Sequence, residues 1–187
     1  ASLLQMDGKL YLMYVLEKGT NAVYIAPMSD PLTVSGAPHL IIDPDQPWEQ
    51  GYQATSSYPV AEGPEALYHN GRTFIVYSAS DTGNYNYCLG LMSYKGGDPL
   101  DRNSWEKQGP VFQYSSENGV FGPGRASFTT SPDDKQSWMV YHAKTTPDFT
   151  YSGRETRAQP FTWKADGTPD FGTPVSLKTA LEPPSGE

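Results

Sequence analysis

The chain has 187 residues, 37% of them hydrophobic and 13% aromatic, with 18 glycines and 17 prolines, which is enough for one domain with a real core. Its formal charge of −8 argues against nucleic acid or an anionic membrane as partner, and no apolar run reaches the roughly 18 residues of a membrane span. A neutral substrate suits an acidic chain rich in Tyr and Trp, and the lone Cys88 closes no disulfide within the chain and fixes no compartment.

The chain opens in a strand, Ser2-Leu3-Leu4-Gln5, that leads through Asp7-Gly8 into an apolar strand ending at Tyr14. The same pattern returns as Glu65-Ala66-Leu67-Tyr68, Asn70-Gly71 and a strand ending at Tyr77-Ser78. It returns again as Ala126-Ser127-Phe128-Thr129, Asp134 and a strand ending at Tyr141. Tyr14 to Tyr77 is 63 residues and Tyr77 to Tyr141 is 64. Each copy continues into a third strand (Ala22–Ala26, Tyr87–Met92, Thr156–Phe161) and a weaker fourth (His39–Ile42, Glu106–Phe112, Thr173–Leu177). Four strands per unit at a near-constant period is the pattern of a β-propeller blade. The alternative is a β-sandwich with accidental hairpin similarity, and the matched spacings favour blades. No segment keeps a 3.6-residue apolar period, so helix is expected to be scarce.

The fold expected is therefore all-β, a five-bladed propeller of which this chain supplies about three four-stranded blades. They fall at about 1–60, 61–121 and 122–180, with 181–187 as linker or tail. Propellers close with about four to eight blades, so the amino-terminal blades are expected to lie outside this chain. Ala1, with no initiator Met, is expected to follow processing, trimming or a cut from something longer.

Chemistry concentrates where strands meet loops. Glu62 and Glu65 flank Gly63-Pro64 at the entrance to the middle hairpin. A glutamate there is either a solvated charge or a carboxyl aimed into a cavity by rigid backbone. The polar connector from Asp43 to Ala61 carries Trp48, Tyr52 and Tyr58. Ser80–Asn86 and Thr145–Glu155 are further polar loops, and loops on a rigid scaffold are where binding sits. Trp48 and Tyr58, close in sequence to Glu62, either stack on sugar rings or join blades. His39 and His69 read as surface residues. His142, alone on a strand, reads as either hydrogen-bonded or metal-ligating.

Glu62-Gly63-Pro64-Glu65, Gly71 and Tyr77-Ser78-Ala79 resemble glycoside hydrolase family 43. So do Gly122-Pro123-Gly124, Val140-Tyr141-His142-Ala143, and Arg157-Ala158-Gln159-Pro160-Phe161 with Trp163, Gly167 and Pro169. The likeness runs from Ala1 to about Val175 and is nearest to exo-acting α-L-arabinofuranosidases. It implies an inverting glycosidase with three carboxyl groups at the mouth of a five-bladed propeller, and Glu62 stands where the family has its general acid. Glu65 matches no catalytic position. The pKa-tuning Asp stands just before a small pair like Ala1-Ser2 and the general-base Asp further upstream, so both are expected on missing amino-terminal blades.

The resemblance further implies sugar contacts from Trp48, Tyr58, Arg125 and Arg157. Arg157 serves equally as a partner of the tuning Asp or in an inter-blade salt bridge. Arg125 departs from the His that many relatives carry there, and Arg is neither a neutral ligand nor a proton shuttle near pH 7. No cofactor is required. A calcium or sodium ion on the propeller axis is compatible, with His142 as its ligand. The expected substrate is an arabinose-containing oligo- or polysaccharide of plant cell walls, and the expected location is extracellular. The alternatives are a β-xylosidase of the same family and a non-catalytic sugar-binding propeller.

Overall fold

The computed structural model describes residues 1–52 and 57–186. The first sheet holds β1 (Ser2–Met6), β2 (Lys9–Glu17) and β3 (Asn21–Asp30), with β4 (Thr33–Val34) and β5 (His39–Ile42) both paired to β3. The second runs β8 (Ala61–His69), β9 (Arg72–Ala79), β10 (Cys88–Tyr94) and β11 (Trp105–Phe112) in order. The third runs β12 (Phe121–Thr130), β13 (Ser137–Lys144), β14 (Glu155–Trp163) and β15 (Pro169–Asp170). All these pairings are antiparallel. Helix is limited to short 3-10 segments at Pro47–Glu49 and Arg102–Ser104 among the described residues.

The hairpin signals work as their chemistry requires. Asp7 and Gly8 have φ of +50° and +71°, and Asn70 and Gly71 have +47° and +76°. Two successive left-handed residues form the mirror-image turn whose twist matches a two-residue hairpin, here linking Met6 to Lys9 and His69 to Arg72.

The middle sheet explains the continuous apolar runs. In β9, Ile75 and Tyr77 join Leu4, Met13 and Ile25 of the first sheet in one core. Phe74 and Val76, on the opposite face, join Met139, Tyr141 and Phe161 of the third sheet in another. A strand covered on both faces loses the polar half of its alternation. Strand β8 contacts both β1 and β12, so the first strands of the three sheets stand side by side. The sheets are successive blades of a β-propeller, as the repeat predicts.

Two expectations need adjusting. Thr173–Leu177 is not a strand; the fourth strand of the last sheet is the earlier Pro169–Asp170, paired to Thr162 and Trp163. The buried amide of Gln159 takes the place of a ladder there. Its Nε2 donates to the carbonyls of Phe171 and Thr173, and its Oε1 accepts from Val175 N–H, while Pro174 has no N–H to give. The Asp43–Ala61 connector is also not all loop. It forms a hairpin of β6 (Gln50–Tyr52) and β7 (Ser57–Pro59); residues 53–56 and the Tyr52 side chain lie outside the described set. Residues 184–186 fold back onto the third sheet, where the Ser185 hydroxyl donates to Asp133 Oδ1 at 2.7 Å and its N–H to Gln136 Oε1 at 3.1 Å.

Candidate active site

One end of the sheets gathers the candidate chemistry. Ala79 pairs with both Ala61 and Cys88 at one end of the second sheet. Phe112 pairs with Leu89 at the same end, and Phe121 with Lys144 at the corresponding end of the third. The connections 80–87, 113–120 and 145–154 therefore all open beside Glu62.

Glu62 sits one residue inside that end, opposite Ser78, and is half-buried. The ladder is irregular between Glu62 and Glu65, and Gly63 has φ +54°. A left-handed residue at a bulge is where glycine is needed and where a strand re-aims a side chain. Glu65 lies further along the strand, opposite Val76, and burial raises its carboxyl above the usual range against the opposing charge of the chain's amino terminus.

The partner of Glu62 is one that sequence reasoning missed. Tyr87 Oη donates to Glu62 Oε1 at 2.6 Å. The Tyr87 ring is fully buried and stacks on His142, with centroids 5.6 Å apart and planes 7° apart. Ser78, also fully buried, hydrogen-bonds the same phenol and accepts from the backbone N–H of Arg125 at 2.8 Å. Burial, then the Glu62 charge and the hydrogen bond to it, push the Tyr87 hydroxyl far above its ordinary range, so it stays a donor. Nothing in the local pattern marks Tyr87, one of 13 tyrosines.

The Gly122-Pro123-Gly124 motif now has a physical reason. A Cβ on Gly124 would stand 2.2 Å from Tyr87 Cε1, and one on Gly122 would stand 2.7 Å from the Asn84 carbonyl. The bulged start of β12 leaves room for the loop that carries Tyr87. Gly124→Ala is expected to cost about 1–3 kcal/mol of stability through overpacking and to displace the phenol from Glu62. Chemical denaturation and a rate assay on the variant check both effects.

Arg125 is the predicted sugar contact that the fold does bring to Glu62. Its backbone is left-handed (φ +55°), and its exposed side chain lies across Gly63, with Cδ 2.6 Å from where a Cβ there would stand. Tyr58 stands on the connector just before β8, its hydroxyl 3.3 Å from Glu17 Oε1 of the first sheet.

Trp48 and Arg157 are packed against other partners. The Trp48 ring packs against Tyr77 with centroids 6.0 Å apart and fills the space over Gly90 and Gly109, where a Cβ would stand 2.6 and 2.4 Å from it. It joins the first connector to the second sheet. Arg157 shares a face of β14 with Gln159 and Phe161, opposite Tyr141, and its side chain is only 4% exposed. It lies 3.6 Å from Glu155 on the same strand, and its guanidinium nitrogens have no hydrogen-bond partner among the described residues.

His142 lies on β13 beside the Tyr87 ring. Burial first, then the Arg154, Arg125 and Lys144 charges, push it down to about 4, so it is neutral at working pH. Calcium and sodium sites take several oxygen ligands. Around this imidazole stand three cations, and no group of three or more His, Cys, Asp or Glu side chains able to hold a metal occurs among the described residues. Its ring stacks on Tyr87, and both ring nitrogens are buried with no hydrogen-bond partner among the described residues.

A buried cation braces the surrounding loops. Lys144, 1% exposed, donates to the carbonyls of Gly83 at 2.6 Å and Asp148 at 3.0 Å. Tyr151 Oη adds a hydrogen bond to Asp81 at 3.1 Å. The loop before Tyr87 and the loop after β13 are thus tied together.

Comparison with known proteins agrees with this architecture. The family described as Glycosyl hydrolases family 43 matches residues 1–169. An extracellular exo-alpha-(1->5)-L-arabinofuranosidase of Streptomyces avermitilis is 42% identical over 167 residues, 86% of this chain and 34% of that protein. Alpha-L-arabinofuranosidase 43 of Humicola insolens is 36% identical over 181 residues, 90% of this chain and 36% of that protein. The crystal structure of an alpha-L-arabinofuranosidase from Lactobacillus brevis superposes with a TM-score of 0.86 at 36% identity, covering 96% of this chain and 57% of that one. The chain therefore spans about a third of the length of these curated relatives. By that match and by its blades, the chain belongs to glycosyl hydrolase family 43.

Proposed function

We propose that this chain is the acid-bearing part of an inverting, extracellular α-L-arabinofuranosidase that removes arabinofuranosyl residues from arabinan or arabinoxylan. The observation that carries the reading is Glu62. It stands at the loop-bearing end of an innermost strand, with Arg125 across its neighbour and Tyr87 holding one of its oxygens. The names of the relatives support the substrate class and the extracellular location. The general base and the pKa-tuning carboxylate belong to upstream blades, which are this chain's partners in the reaction.

In the step itself, the Glu62 proton passes to the glycosidic oxygen as the C1–O bond breaks and its electron pair moves to that oxygen. Water attacks C1 from the opposite face and gives its proton to the upstream base. The two carboxyls of an inverting enzyme stand roughly 6.5–9.5 Å apart to admit that water. Arg125, as a fixed cation, donates to sugar hydroxyls beside the acid.

The test is the anomer released. The complete protein, given an α-1,5-linked arabino-oligosaccharide, is expected to yield β-arabinofuranose first, read by proton NMR within the first turnovers. Release of the α-anomer, preference for a β-xyloside, or sugar binding without cleavage would each overturn the reading.

A further inference from the structure

We infer that Tyr87 is a positioning residue that decides which oxygen of Glu62 delivers the proton. The inference rests on Glu62 being the general acid. Tyr87 Oη–H points to Oε1 at 2.6 Å. In a protonated carboxyl the carbonyl oxygen is the better acceptor, so Oε1 takes that part and the acid proton resides on Oε2. Oε2 is then the oxygen that faces the sugar.

The phenol can do this because it has no freedom. Its ring is fully buried, clamped between His142 and the gap left by Gly124. Its oxygen is held by Ser78 on β9, and Ser78 is held by the backbone N–H of Arg125 on β12. Three strands and a loop thus meet on one carboxyl oxygen, and a carboxylate fixed in this way needs no reorganisation when the proton leaves. The other ionisable groups at this place are Arg125, whose side chain crosses Gly63, His142 under the Tyr87 ring with the Lys144 and Arg154 charges about it, and Glu65 further along β8. None substitutes for the phenol on Oε1, because none hydrogen-bonds it.

The test is Tyr87→Phe in the complete enzyme, which keeps the stacked ring and removes only the hydroxyl. For an unactivated arabino-oligosaccharide, kcat is expected to fall about tenfold or more, with KM within about twofold, the scale of a lost hydrogen bond to a charged group. An aryl arabinoside with a good leaving group needs little protonation and is expected to keep its rate. An unchanged kcat on the oligosaccharide, or an equal loss on both substrates, would overturn the role of Tyr87. Glu62→Gln run beside it separates the two claims. If Glu62→Gln keeps its rate on the oligosaccharide, the acid assignment itself fails. If Glu62→Gln is slow and Tyr87→Phe behaves as wild type, only the positioning claim fails.

Discussion

Glu62→Gln in the complete enzyme is expected to lose about 10²- to 10⁴-fold in kcat/KM on an unactivated arabino-oligosaccharide, the range that general acid catalysis supplies. The substitution is nearly isosteric. The Gln carbonyl still accepts from Tyr87, whose hydroxyl lies 2.6 Å from Oε1 in the wild type, so neither the fold nor the placement of the side chain should change. What disappears is the proton on the other oxygen. A substrate whose leaving group departs without protonation should escape most of the loss, and its pH profile should lose the basic limb. Glu65→Gln is the control. Glu65 is a carboxyl three residues along the same strand, opposite Val76, and burial holds it high. A raised pKa is what an acid catalyst needs, so pKa alone would nominate Glu65. Position nominates Glu62, because it lies at the open end of the strand with a donor trained on it. A larger loss for Glu65→Gln than for Glu62→Gln would reverse the assignment.

The parts of this fold legible in the sequence are those set by local chemistry. Asn70-Gly71 specifies a mirror-image turn by itself, and Phe74 to Tyr77 reads as a strand covered on both faces without knowledge of what covers it. The spacing of Tyr14, Tyr77 and Tyr141 counts blades, because each blade repeats the same local unit. The illegible parts are side chains standing in for backbone or reaching across blades. Gln159 does the work of a fourth strand, so a β-rich stretch at Thr173–Leu177 fails to be one. Trp48 looks like a sugar platform because it is aromatic and near Glu62 in sequence. Gly90 and Gly109, some 40 and 60 residues on, are what draw it into the packing. Tyr87 is bound to Glu62 by a vacancy at Gly124, and no pattern within either segment reports the other. Arg125 is marked in the sequence only by the family motif around it.

The same limitation hid the strongest ionic contact between the first connector and the second sheet. Lys107→Met is expected to destabilise the protein by about 3–5 kcal/mol, the cost of leaving a buried charge without its partner. Glu49 is fully buried. Its Oε1 accepts from Tyr77 Oη at 2.6 Å and its Oε2 from the Gln46 N–H at 2.7 Å, while Lys107 Nζ lies 2.9 Å from both oxygens. Lys107 also reaches Asp45 Oδ1 at 2.9 Å. Removing the ammonium leaves Glu49 two neutral donors in a site closed to water, so the midpoint of thermal unfolding should fall by about 10 °C. Adding Glu49→Gln to Lys107→Met should restore more than half of the loss, because the charge that lacked a partner is then gone. Acid unfolding gives a second readout. Against the raising effect of partial burial, the Lys107 and Gln46 hydrogen bonds hold the Asp45 carboxyl well below the usual range. That contribution is complete above the unfolded carboxyl's pKa of about 3.9 and is lost as the pH falls below it. Lys107→Met should therefore flatten the acid arm of the stability curve below about pH 4 as well as lower its plateau. A plateau within about 1 kcal/mol of wild type would mean that Glu49 reaches water or another donor once Lys107 is gone. The connector would then be held by Trp48 over its two glycines rather than by charge.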